Sequence, residues 1–177
     1  GLDVVDVDKK TGWFSYRGKK LTSAADKAML REHIWAYRFV RAGADIEVQA
    51  AQILHAINRI HQFYAVKSSK LGGYALVDLI TSEYGVALLL DNHVNRPGYI
   101  RGCVAAALER SNLTAAEMAR GGDEEEQLLI KNYLDIRQTY GKHPMTDARQ
   151  RAAVTRGYVV DGIISDRRGS FVSSAWG

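Results

Sequence analysis

Cysteine is nearly absent from this 177-residue chain: Cys103 stands alone, which excludes an intrachain disulfide and any cysteine-built metal site. The fold must be held by packing. Long apolar runs are missing too, and no window approaches the roughly 20 apolar residues that a membrane-spanning helix needs. The N-terminus carries no basic-then-apolar signal pattern. The five histidines, His33, His55, His61, His93 and His143, include no HxxxH pair and do not cluster with carboxylates, so no metal is expected. Without a Gly-rich loop after a strand or a GxSxG elbow, nucleotide binding and serine hydrolysis are unsupported and no cofactor is expected. Charge of one sign never accumulates in long blocks, and the formal net charge is only +4. Such a balance favours a polyanionic partner without demanding one, and charge alone leaves nucleic acid, a membrane surface and an anionic cell-wall polymer open.

What the chain does have is ordinary. Its 46% hydrophobic and 25% charged residues match one compact domain with one substantial core. It begins Gly-Leu-Asp without a Met, which reads as a fragment, a processed product or a tagged protein.

The patterning predicts an all-α fold, α+β at most. Residues 1–22 alone have strand character, with Leu2, Val4, Val5 and Val7 set among aspartates, a turn-like stretch over 8–12, and Trp13-Phe14-Ser15-Tyr16 before Arg17-Gly18; a hairpin and an extended arm fit equally. Ser23, with Asp26 three residues on, opens a helix expected over 23–42. Ile46, Ala50, Ile53, Ile57, Ile60 and Tyr64 then form one apolar stripe, with Asp45 placed to cap its helix. A helix over 74–94 is apolar nearly all round in its second half and belongs at the centre of the domain. Pro97 ends it, and helices follow over 99–110, from a capping box at Thr114 and Glu117, over 123–140, and from Thr146 to about 160. The acidic run Asp123-Glu124-Glu125-Glu126 reads as a helix start complementing the helix dipole. Residues 23–164 are thus expected to form a helical lobe, and 165–177 a weakly structured tail. Cys103, on an alanine-rich face, reads as a packed thiol.

The chemistry concentrates in 78–98, DLITSEYGVALLLDNHVNRPG, where an apolar run ends in Asp91. A carboxylate there needs a partner or a use. Glu83, a weak catalytic candidate whose bland reading is solvent exposure, is spaced so that it and Asp91 can approach a common side. His93 and Asn95 lie where the helix emerges, a natural place for a cleft.

Gly85-Val86-Ala87-Leu88-Leu89-Leu90-Asp91-Asn92-His93-Val94-Asn95, followed by Pro97-Gly98, resembles the central-helix motif of chitosanase-like members of the lysozyme superfamily. Downstream, Gly121-Gly122-Asp123-Glu124, Tyr133-Leu134-Asp135-Ile136-Arg137 and Thr146-Asp147-Ala148-Arg149-Gln150-Arg151 resemble, in order and approximate spacing, that family's GDE, FLDAR and TEQR segments. The similarity covers residues 35–162 and is greatest to lysozyme-like peptidoglycan hydrolase domains of phage and secretion-system effectors.

The resemblance implies a glycosidase acting on β-1,4-linked amino sugars, with one carboxylic acid protonating the glycosidic oxygen and a second carboxylate activating water or stabilising the oxocarbenium-like state. The family's acid is a Glu on a helix ahead of a small sheet. No residue here matches it well, so the general acid is expected upstream of this chain, with Asp6, Asp8 and Glu32 as candidates of last resort. By the same resemblance, Asp91, Arg137 and Arg149 or Arg151 form a buried ion network supporting that acid, since a buried Asp needs a cation and Arg satisfies two acceptors at once. His93, Asn95, Arg96 and Tyr99 are expected to line a sugar cleft.

The implied partners are peptidoglycan or a related amino-sugar polymer, together with an upstream domain, delivery machinery or an immunity protein; no membrane partner is implied. The implied place of action is the bacterial cell wall or periplasm, after delivery. Two other readings stand beside this one. A non-catalytic wall-binding or protein-interaction module is motivated by the missing acid, and weaker nucleic-acid binding would run through Arg149, Arg151, Arg156, Arg167 and Arg168.

Overall fold

The computed structural model describes residues 5–8 and 13–172; residues 2–4 and 9–12, where part of the strand pattern and its turn were expected, and 173–177 lie outside them. Among the described residues the fold is mostly helical, with nine α-helices and one three-stranded antiparallel sheet. The chain divides into two compact units, 1–53 and 54–177.

The first unit resolves the choice between arm and hairpin. Strands β1 (Val5–Val7), β2 (Phe14–Tyr16) and β3 (Lys19–Lys20) pair in that order, with Val5 opposite Tyr16 and Tyr16 opposite Lys19. The tight turn between β2 and β3 puts Arg17 at φ 50° and Gly18 at φ 76°, two left-handed residues whose twist matches that of a hairpin. The strands are not a separate arm, because the Tyr16 ring meets Trp35 edge-on at 5.8 Å.

The expected single helix over 23–42 is broken. The Ser23–Asp26 capping box opens α1 (Ala24–Lys27), a 3-10 turn covers Ala28–Arg31, and Glu32 is extended at ψ 148° before α2 (His33–Gly43). Helix α3 (Ile46–Phe63) starts as expected on Asp45, whose Oδ1 accepts from the Glu47 and Val48 N–H groups. Its apolar stripe is covered only toward the C-terminal end: Ile46 and Ile53 are 76% and 61% exposed, whereas Ile60 is buried, as is Tyr64 just beyond the helix.

The second unit packs α4 (Leu76–Leu79), α5 (Glu83–Asn95), α6 (Ile100–Arg110), α7 (Ala115–Arg120), α8 (Asp123–Thr139) and α9 (Ala148–Val160) around one core. Helix α5 is its centre, with Tyr84, Val86, Leu88, Leu89 and Asn92 buried against neighbours that include α6 and α9. It begins nine residues later than periodicity suggests. Ile80 is extended, Ser82 caps α5 by accepting from Gly85 N–H, and the Thr81 and Ser82 N–H groups are held by Glu126. That distant carboxylate makes the break favourable, and no local pattern could announce it. At the other end of α8, Gly141 takes φ 86° and stops the helix. Asp147, left-handed at φ 53°, takes the cap position of α9 expected for Thr146.

Within the segment expected to be a loose tail, the described residues 165–172 are knitted to the core. Ser165 N–H donates to Glu83 Oε2 at 2.7 Å, Gly169 N–H to Thr81 Oγ1 at 2.9 Å, and the Phe171 ring meets Tyr64 edge-on at 5.5 Å.

Candidate functional site

Asp91 occupies the last turn of α5. Its Oδ2 accepts from Arg137 Nη1 at 3.0 Å and its Oδ1 from Arg151 Nε at 2.8 Å. Asn95 completes the shell, its side-chain amide donating to Asp91 Oδ1 at 3.2 Å and to the Asp91 carbonyl at 2.7 Å. The Arg137 side chain is wholly buried and that of Asp91 is 19% exposed. Arg137 also donates to the Leu88 carbonyl from Nη1 and to the Ala148 carbonyl from Nη2, each at 3.1 Å, so one guanidinium ties α5, α8 and α9 together. This fork geometry is what arginine offers and lysine does not.

Of the two arginines that the spacing left open, Arg151 joins the network and Arg149 does not. Arg149 is engaged elsewhere, its Nε donating to Gln138 Oε1 on α8 at 2.7 Å. Arg151 Nη1 donates to the Thr146 carbonyl, while Arg151 Nη2 and Arg137 Nε are buried with no acceptor among the described residues. Two cations therefore face one carboxylate.

The residues expected around the helix exit split into two groups. His93 stacks on Phe63 at 4.4 Å, with Arg59 Nη1 3.3 Å from its Nδ1. Burial, then the charges of Arg59 and Arg101, hold His93 below its usual value, so the ring is neutral at pH 7. Arg96 turns away, donating from Nη2 to the Tyr140 carbonyl at 2.6 Å and lying 4.1 Å over the Tyr99 ring, which meets Tyr140 edge-on. Arg96 and Tyr99 thus hold the end of α8 against the exit of α5. Asn95 belongs to the Asp91 shell.

Glu83 is a helix-start residue whose carboxylate is committed to Ser165 N–H. Asp6 lies on β1 opposite Ser15, and Glu32 stands at the break before α2. Glu83 is not part of the Asp91 network.

One buried carboxylate went unrecognised in the sequence. Within the acidic run Glu125 does cap α8, its Oε2 accepting from Gly122 N–H, but Glu126 is fully buried. Glu126 accepts from Ser82 N–H at 2.8 Å and from Thr81 N–H at 3.1 Å, and pairs with Arg168 Nη1 at 2.8 Å. The missed signal is phase: Glu126, Leu129, Ile130, Tyr133 and Arg137 recur at helical spacing and share the buried face of α8. Arg168 also donates to the Leu79 and Asp78 carbonyls, which is why the 165–171 segment is held.

The arginines invoked for nucleic acid are largely engaged. Arg151 is on Asp91, Arg156 on Asp166 at 2.6 Å, Arg168 on Glu126 and Arg149 on Gln138, so they present no shared basic stripe. Among the described residues no group of three or more His, Cys, Asp and Glu is placed to hold a metal ion. No family model, curated protein or solved structure matches this chain. The likeness to lysozyme-superfamily segments therefore rests on the residues themselves.

Proposed function

We propose that the helical unit is the substrate-binding lobe of a peptidoglycan glycosidase, in which Asp91, Arg137 and Arg151 position a catalytic Glu supplied from outside residues 54–172. The observation that carries this reading is the charge imbalance of the network, in which two arginines, one of them wholly buried, share the single carboxylate of Asp91. A further carboxylate brought beside Arg151, whose side chain is 31% exposed, cancels the excess of one positive charge. Asp91 itself is the organiser, since both its oxygens are engaged and neither is free to take part in cleavage. Substrate contacts fall to the face beside His93 and Asn95, where a neutral imidazole can donate or accept a hydrogen bond to a sugar hydroxyl.

Purified sacculi incubated with this chain, and with a form extended at its N-terminus, test the proposal by chromatography of soluble muropeptides. Release by the extended form and its loss on Asp91→Asn are expected. Release by neither form rejects it.

A second reading, a wall-binding module without catalysis, is favoured by the state of the buried carboxylates: Asp91 and Glu126 are both committed to arginines and backbone donors. It is separated from the first by sedimentation with sacculi, where retention without release by the extended form supports the module.

A further inference from the structure

The positive charge of the chain is not spread evenly. Residues 1–43 carry nine Lys and Arg against five Asp and Glu, whereas 44–177 carry fifteen of each, so the whole excess of +4 lies in 1–43. Of the acids there, Asp26 is paired with Lys19 at 2.9 Å, Asp6 lies on β1 with Asp8 just after it, and Glu32 precedes α2. Helix α2 has cations only: no Asp or Glu occurs between Glu32 and Asp45, while Arg38 and Arg41 do.

The same helix leaves its apolar side chains uncovered. Among its eleven residues only Trp35 is buried, against Tyr16 of the sheet. Ile34, Tyr37 and Val40 follow one another along one face and are 51%, 59% and 74% exposed. An eleven-residue helix anchored by one side chain is marginal in water by itself, and an apolar face flanked by cations calls for a cover. Arg41, one turn beyond Tyr37, has no ion-pair partner among the described residues.

We propose that α2 docks this unit on a phospholipid surface with anionic headgroups, Ile34, Tyr37 and Val40 entering the boundary between headgroups and acyl chains and Arg41 meeting a lipid phosphate. This partner is not one the family resemblance implies, and it does not rest on the glycosidase reading. At eleven residues, about 16 Å, α2 lies along such a surface instead of crossing it. Charge decides against a second copy, since two such faces bring arginines together with no acid on either helix to meet them. Ring contacts decide against nucleic acid, because bases stack on open aromatic faces. Here Trp13 carries Lys20 at 4.8 Å and Lys27 at 5.2 Å, Tyr16 carries Arg17 at 5.2 Å, and Trp35 carries Arg38 at 4.6 Å. Aliphatic Ile34 and Val40 add nothing to base stacking, yet they partition into lipid.

Co-sedimentation of the full chain with vesicles of phosphatidylcholine alone, and of an equal mixture of phosphatidylcholine and phosphatidylglycerol, tests the proposal. Binding to the anionic vesicles is expected to be at least about tenfold stronger than to the neutral ones and to fall as salt screens the headgroups. Tyr37→Ser combined with Val40→Ser is expected to weaken partitioning about tenfold, and Arg41→Gln about fivefold, the contribution of one cation near an anionic surface. Val160→Ser, at a position 77% exposed but on α9, is expected to leave it unchanged. All these side chains are exposed, and an unchanged far-ultraviolet circular dichroism spectrum verifies the fold. No binding to anionic vesicles, equal binding to neutral ones, or binding indifferent to the α2 substitutions would overturn the proposal. So would a dimer in sedimentation velocity that the α2 substitutions dissolve, or tighter binding of single-stranded DNA than of anionic vesicles.

Discussion

Replacing Asp91 by Asn keeps the shape of the side chain and removes its charge, and the cost is set by how its two oxygens are used. Oδ1 serves Arg151 and Asn95, and Oδ2 serves Arg137. An amide supplies one acceptor and turns an N–H toward the other guanidinium, so one arginine is left facing a donor. Arg137, with no exposed side-chain surface, then keeps a buried charge compensated only by the Leu88 and Ala148 carbonyls. Removing one partner of a buried pair costs about 3–5 kcal/mol, and the 19% exposure of Asp91 argues for the lower end. In a domain of this size about 3 kcal/mol corresponds to roughly 6–12 °C in Tm. Urea unfolding followed by circular dichroism at 222 nm measures it, with an unchanged m value expected. Arg137→Lys should lose a comparable amount, because one ammonium cannot reach the carboxylate and both carbonyls. Arg149→Ala, which removes only an exposed bond to Gln138, should stay within about 0.5 kcal/mol. An Asp91→Asn protein within that same margin of the parent would refute the assignment of the triad as a buried organising network.

Gly85→Ala should destabilise even though alanine favours helix: a Cβ there meets the Ile80 side chain, Ser82 Oγ at 2.9 Å and Ile130 Cδ1 at 3.1 Å, and overpacking of about 2 kcal/mol outweighs the roughly 1 kcal/mol of propensity gained; differential scanning calorimetry showing a raised Tm would contradict it. His93, with a folded-state pKa below the ordinary 6.5, takes up its proton more readily in the unfolded chain, so its contribution to stability is present above about 6.5 and is lost as pH falls through the lower folded value. A proton NMR titration of the His93 ring with a midpoint at or above 6.5 would contradict that sign. Cys103, whose pKa burial pushes up to about 11, should react with a thiol reagent at pH 8 only after unfolding, and rapid labelling of the native chain would contradict its burial.

Helix starts were the most legible feature, because capping is local chemistry. Ser23 with Asp26, Thr114 with Glu117, and Asp45 each sit within three residues of the N–H groups they satisfy. The central place of α5 was legible as well, since a helix apolar nearly all round has to be surrounded. Asp91 needing an arginine could be argued from burial alone. The choice of Arg151 over Arg149 could not, because both follow Thr146 closely and only the orientation of α9 against α5 separates them.

Glu126 marks the limit most clearly. Its neighbours Glu124 and Glu125 are an ordinary acidic first turn, and one residue of rotation carries Glu126 into the core. There it breaks the chain at Thr81 and Ser82, some 45 residues upstream, and pairs with Arg168, 42 residues downstream. By itself the sequence determined a mostly helical chain with its caps, a buried middle helix, a packed thiol and a carboxylate in need of a cation, all consequences of spacing and of the cost of burying charge. Tertiary structure alone decided which cation, where the central helix starts and that residues 165–171 are bound. Those depend on groups distant in sequence meeting in a low-dielectric interior, where unmet hydrogen bonds are costly and satisfied ones dictate the backbone.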